Sequence, residues 1–186
     1  SQRQPTSVRR TSRLSQDRST VQQILILRLM AEKSWRKDKR IFNCFIDFQK
    51  AFDTIKHDMI WNVLNSFGVD IKITRLLQNI YANSKAAVQV GRELGDWFRQ
   101  SIGTRQGDPV SPAIFITYLE RVMDACEDCK TGVNISGELI DNLRFADDID
   151  LLEERSEDLQ ESLNGVAAAA EPMGLMLNIA ETKVMV

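Results

Sequence analysis

Asn142-Leu143-Arg144-Phe145-Ala146-Asp147-Asp148-Ile149-Asp150-Leu151-Leu152 sets two adjacent carboxylates in a short polar step between apolar flanks. Leu143 and Phe145 alternate before the step, Ile149 and Leu151 after it. That period of two predicts a β-hairpin with one half-buried face, with Asp147 and Asp148 at its turn. Two like charges side by side repel unless a cation neutralises them. A turn that presents carboxylates at the rim of a sheet is a cradle for Mg²⁺, a hard ion that takes oxygen ligands. Asp-Asp also occurs in ordinary surface turns, so this stretch alone leaves both readings open.

A chain of 186 residues has the length for one globular domain with a real core. No run reaches the length of a membrane span; Val21 to Ala31 is interrupted by Gln22, Gln23 and Arg28. The first twenty residues are polar and basic and lack the apolar core of a secretory signal. An intracellular protein with no membrane partner is the expectation. The net charge of −2 is unevenly spread: residues 1–20 hold five arginines and one aspartate, leaving an acidic body. A basic arm on an acidic body is compatible with nucleic-acid contact without demanding it, and a solvated tail has the same composition. Cys126 and Cys129 have C-x-x-C spacing, but only Cys44 and the lone His57 remain to complete a zinc set. The βαβ context of a redox pair is also missing, so reduced thiols are expected.

Residues 1–18 show no periodicity and read as a basic, flexible lead-in, with 19–186 as the folded unit. A helix follows Ser19 or Thr20 and is apolar nearly all round, which predicts burial. Ile41 to Ile46 reads as a central strand that ends at Asp47, a charge that needs a partner there. Helices are predicted over about 57–66, with Ile60, Trp61 and Leu64 inward, and over 70–83, with Ile73, Leu76, Leu77 and Ile80 inward. Ala86 to Gly91 and Trp97 to Ile102 read as hairpin partners that turn at Gly95. Ser111 and Pro112 are a good N-cap and first helical residue, before a helix that buries Phe115, Leu119, Val122 and Cys126. Gly132 and Gly137 punctuate a loop. A last helix starts at Ser156, with Leu159, Leu163, Val166 and Ala170 as its stripe, and stops at Pro172 and Gly174. Residues 175–178 and 182–186 look like a closing strand pair.

This order predicts an α+β layer, an antiparallel sheet backed by helices on one face. In such a layer Asp47, at a strand end, and Asp147-Asp148, at a hairpin turn, can meet at one sheet edge. Three convergent carboxylates can hold two divalent ions, and two ions clamp the attacking and leaving oxygens of an in-line phosphoryl displacement.

Here the residues resemble a known family. Phe45-Ile46-Asp47-Phe48-Gln49-Lys50-Ala51-Phe52-Asp53 is similar to motif A of the reverse transcriptases of non-LTR (LINE-type) retrotransposons. Gly103-Thr104-Arg105-Gln106-Gly107-Asp108-Pro109-Val110-Ser111-Pro112 resembles motif B, and Phe145-Ala146-Asp147-Asp148 resembles motif C. Gly174-Leu175-Met176-Leu177-Asn178 with Thr182-Lys183-Val184-Met185 resembles motif D. Order and spacing fit over about residues 18–186.

The resemblance implies a polymerase palm with partial fingers and no thumb. It implies an RNA-directed DNA polymerase core that joins a dNTP to a DNA primer on an RNA template, with Mg²⁺ or Mn²⁺ as cofactor. Asp47, Asp147 and Asp148 would be the catalytic, metal-binding carboxylates. Phe52 would fill the space of a ribose 2′-OH, and Phe48, Gln106 and Gly107 would line the nucleotide site. Arg105 would contact template, and Arg18 the triphosphate. His57 fits a family position and reads as a helix-start residue, and Lys183 as a surface lysine. Fingers and thumb segments of a larger polyprotein, and a nuclear location if the host is eukaryotic, are further implications. Asp17 stands where the family has glycine and Glu181 where lysine is common. Asp150 replaces an apolar residue and is expected to add negative charge near the site. The competing expectation is a weak or inactive fragment that serves as a nucleic-acid or protein interaction module.

Overall fold

A computed structural model describes residues 20–36, 38–105, 107–126, 131–135, 137–145 and 148–186. The lead-in and Arg18, together with Gln106, Cys129 and Asp147, lie outside them. In chain order come α1 (Thr20–Arg36), β1 (Phe42–Ile46), α2 (Ala51–Thr54), α3 (His57–Ser66) and α4 (Ile71–Ala82). A ribbon follows, of β2 (Lys85–Ala86), β3 (Gln89–Val90), β4 (Glu93–Leu94) and β5 (Phe98–Arg99). Then come α5 (Ser111–Ala125), β6 (Val133–Ile135), β7 (Glu138–Ile140), β8 (Asn142–Phe145) and β9 (Asp148–Glu153). The chain closes with α6 (Ser156–Ala170), a 3₁₀ turn over Glu171–Met173, and β10 (Lys183–Met185).

The central sheet has the order β10-β1-β9-β8 and is antiparallel throughout. Side chains alternate between its faces. Cys44, Ile46, Ile149 and Leu151 face the main core, where α5 contributes Ile114, Phe115, Tyr118, Leu119 and Val122. Leu159, Val166 and Ala170 of α6 and Ile60, Val63 and Leu64 of α3 complete it. The Tyr118 hydroxyl donates to the Met173 carbonyl and ties α5 to the turn after α6. Burial pushes that phenol up to about 12. A smaller cluster of Met30, Val133, Ile140, Leu143 and Leu152 lies under α1. The expected helix-backed α+β layer is therefore present, with α1 on the second face and not all helices on one; β8 and β9 pair as expected, but Asp148 stands in β9 opposite Phe145 and not at the turn.

Several local expectations are overturned. α1 is not buried all round: Ile24, Leu25 and Leu29 are exposed, and Met30 is buried. On α4 the inward stripe is Thr74, Leu77 and Tyr81, while Ile73, Leu76 and Ile80 face out. Both stripes have helical spacing, so periodicity does not choose between them; tertiary packing does. Asp70 caps this helix by accepting from the Lys72 backbone N–H at 2.7 Å. The 85–99 ribbon turns at Gly91, with φ of 64°, not at Gly95. Ser111 is the first helical residue of α5 and not its cap; its hydroxyl donates to the Arg105 carbonyl at 2.7 Å, and Val110 is the cap. The segment read as a loop around Gly132 and Gly137 contains the β6–β7 pair.

The last correction shapes the site. Residues 175–178 do not pair with 182–186. β10 joins β1, with Cys44 opposite Val184. The backbone of 176–178 is taken up by the chain just after β1: the Gln49 N–H donates to the Met176 carbonyl, and the Asn178 N–H to the Asp47 carbonyl, each at 2.8 Å. A backbone whose polar groups are already satisfied has none left for another ladder.

Candidate active site

β1 and β9 run antiparallel, and their last paired residues are Ile46 and Ile149. One step further along each strand are Asp47 and Asp148. The ladder therefore delivers two carboxylates from distant parts of the chain to one sheet edge. Asp148 is exposed and Asp47 half-buried. Asp147 lies outside the described residues. Among those described, no group of three or more His, Cys, Asp or Glu is assembled.

Asp47 is held on three sides. Its carboxylate Oδ2 accepts from Asn178 Nδ2 at 2.7 Å. Its carbonyl accepts from the Asn178 N–H, and its own N–H reaches Thr182 Oγ1 at 3.4 Å. All three contacts come from residues 178–182.

An open cavity of about 590 Å³ is lined by Phe48, the residue after Asp47, and by Phe52, Asp53, Thr104, Arg105 and Gly107, among others. Phe48 is only 5% exposed and belongs to the core, so it forms cavity wall and core at once. The Phe52 ring packs on Phe115, with centroids 4.4 Å apart. Arg105 and Gly107 are exposed.

The 103–104 segment is braced onto the 52–57 segment. The Gly103 N–H donates to the Ile55 carbonyl at 2.7 Å, and the Thr104 N–H to the Phe52 carbonyl at 2.6 Å. Thr104 Oγ1 donates to the same carbonyl at 3.2 Å. His57, the first residue of α3, brings Nε2 within 2.8 Å of the Gly103 carbonyl. Gly103 has φ of 81°, and a Cβ there would stand 3.1 Å from Asp53. Only glycine suits both the conformation and the close approach. Lys183 is exposed, and its ammonium donates to the Ala180 carbonyl. Sequence reasoning missed Asn178 as the partner of Asp47, and Thr104 and His57 as braces between the two segments. The sole signal was their place inside or next to the motif stretches.

Asp150 differs from expectation. It is 6% exposed, and among the described residues neither carboxylate oxygen has a hydrogen-bond partner. Burial pushes its pKa up from 3.8 to about 7. A fixed negative charge beside the site was expected; near neutral pH this group is instead about half protonated. Burial, and then the Asp150 charge, also raises the Cys44 thiol. Glu153, 1% exposed on the opposite face of β9, is raised by burial too, although Ser162 at 2.7 Å and Thr131 at 3.0 Å donate to its Oε1.

Residues 4–186 match the reverse transcriptase (RNA-dependent DNA polymerase) family. The chain belongs to that family. Among its relatives are polyproteins of R2 retrotransposable elements. That of Nasonia vitripennis is 33% identical over 150 residues, a match covering 81% of this chain and 14% of the polyprotein. That of Drosophila melanogaster is 27% identical over 143 residues, covering 75% and 13%. These relatives agree with the resemblance to non-LTR elements, and this reverse transcriptase chain spans about one seventh of their length. The fold is similar to that of a part of telomerase. A Candida tropicalis telomerase structure aligns with a TM-score of 0.68 at 15% identity, covering 90% of this chain and 35% of that one. A Candida albicans telomerase aligns with a TM-score of 0.67 over 90% and 30%.

Proposed function

We propose that this chain is the palm of an RNA-directed DNA polymerase. It would transfer a nucleotide from a dNTP to a primer 3′-OH, with Asp47, Asp147 and Asp148 holding divalent ions. The observation that carries the proposal is the β1–β9 register, which brings Asp47 and Asp148 to one edge; Phe48, next to Asp47 in the chain, lines an open cavity. Oxygen-only donors at such an edge suit Mg²⁺ or Mn²⁺. Bound there, a pair of such ions would supply charge neutralisation at the attacking and leaving oxygens.

The other roles belong to the chain's own side chains. Asp47 is pre-oriented by Asn178 before any ligand arrives. Phe52, wedged on Phe115, would occupy the space of a 2′-OH and so favour deoxynucleotides. Phe48 and Gly107 would border the base and sugar, with Gln106 beside them. Arg105 would meet the template backbone, and Arg18 the triphosphate. RNA template, DNA primer and dNTP are the proposed partners, together with fingers and thumb segments of a longer polyprotein. Residues 19–186 would act as the palm unit and residues 1–18 as a fingers remnant. Nuclear residence goes with this reading if the host is eukaryotic.

Primer extension on an RNA template tests it. Mg²⁺-dependent extension that disappears in Asp148→Asn supports the proposal; extension unchanged in that variant sinks it. Phe52→Ala is expected to gain ribonucleotide use. The exposed Ile73, Leu76 and Ile80 stripe on α4 favours one second reading, a non-catalytic interaction module. Intact metal binding without any extension would point there.

A further inference from the structure

We infer that Asn178 is a positioning residue for metal binding: its amide fixes the Asp47 carboxylate so that one oxygen is held and the other is left to a divalent ion. The inference rests on the proposed role of Asp47 as a metal ligand.

Asp47 ends a strand, and the carboxylate of a strand-end residue has torsional freedom that binding would have to remove. Asn178 Nδ2 donates to Oδ2 at 2.7 Å, a short contact of the charge-assisted kind. Asn178 is itself held. Its N–H donates to the Asp47 carbonyl, and its carbonyl accepts from Glu181 at 3.1 Å and from Thr182 at 2.8 Å. Leu177, next to it, bridges to Phe48. Gln49 Nε2 donates to the Leu177 carbonyl at 3.1 Å. The amide is thus presented by a rigid backbone on the strand-end side of the carboxylate. Asparagine suits the place because it donates without bringing a charge; a lysine there would compete with the cation for the same oxygens. Partners that orient a ligating carboxylate typically contribute about tenfold to a hundredfold in metal affinity.

The test is Mn²⁺ titration of the full chain by calorimetry, with thermal melting of each variant alongside. Asn178→Leu keeps the branched shape and removes the donor; Asn178→Ala is the smaller donor-free alternative should the leucine variant fail to fold. Either is expected to weaken Mn²⁺ binding about tenfold to a hundredfold. Thr182→Val removes the neighbouring contact to the Asp47 N–H without touching the carboxylate. It is expected to leave affinity within about twofold. Equal weakening by Thr182→Val and Asn178→Leu would overturn the inference, because the segment would then matter only as packing. Asp47→Asn and Asp148→Asn separate the two levels. If they abolish binding while the Asn178 variants bind as the wild type does, the ligand assignment stands and the positioning role fails. If they too leave binding unchanged, the ligand assignment fails and the inference falls with it.

Discussion

Asp47 and Asp150 are two residues of ladder apart, one just past the end of β1 and one on β9, and they have opposite circumstances. Asp47 lies beyond the last pair of the ladder, half-open to solvent, with Asn178 on one oxygen. Asp150 sits within the ladder, opposite Phe45 and Leu143, with both oxygens buried and, among the described residues, unpartnered. The first is the one that the proposed function assigns to a cation. The second costs stability whenever it is ionised, because burial disfavours the charged form and no described residue compensates it. Acids of one type on one sheet thus diverge in role according to whether the pleat leaves them an open side.

Four measurements press on that contrast. The largest effect is expected at Asp47: Asp47→Asn should lower primer extension at least about a thousandfold, the scale of several kcal/mol of lost transition-state stabilisation, with little change in melting temperature. A large loss of stability instead would make Asp47 a structural residue like its neighbour.

Asp150→Val should do the reverse, raising stability by roughly 2–4 kcal/mol at pH 8, from the size of the pKa displacement. The sign follows from proton linkage. The folded chain holds the Asp150 proton up to about pH 7, the unfolded chain only to about 3.8. Stability from this group is therefore full below pH 4, falls as pH rises toward 7, and levels off above. Denaturant melts of wild type and variant across pH 4 to 8 check it; a gain that does not shrink toward pH 4 refutes the account.

Glu153 lies between the two cases, buried yet partly satisfied. Ser162→Ala removes its 2.7 Å donor and should cost roughly 1–3 kcal/mol at pH 8. The cost should shrink in acid, where the carboxyl is protonated, and chemical denaturation at both pH values reads it. The smallest effect is expected on α4, where Leu76 is 60% exposed. Leu76→Lys should change stability by no more than about 0.5 kcal/mol, whereas Leu77→Lys should unfold the chain. Melting curves of the pair would show whether solvent contact, and not residue type, governs the helix.

Sequence alone determined a good deal here. The alternation around Asp147-Asp148 specified the β8–β9 hairpin, and the apolar stripes specified α5 and α6, because side-chain period and secondary structure are tied by backbone geometry. The motif order placed Asp47 and Asp148 in one expectation although they are far apart in the chain. Tertiary structure decided the rest. Which of two helical stripes on α4 faces inward depends on what lies beside it. That β10 pairs with β1, and that Asn178 reaches Asp47, depends on contacts more than 130 residues apart in sequence. Asp150 reads as one more charge in the sequence and becomes a buried, half-protonated group only when the neighbouring strands close over it. Local patterns report local dihedral preferences; burial and partnership are set by whatever else arrives at the same place.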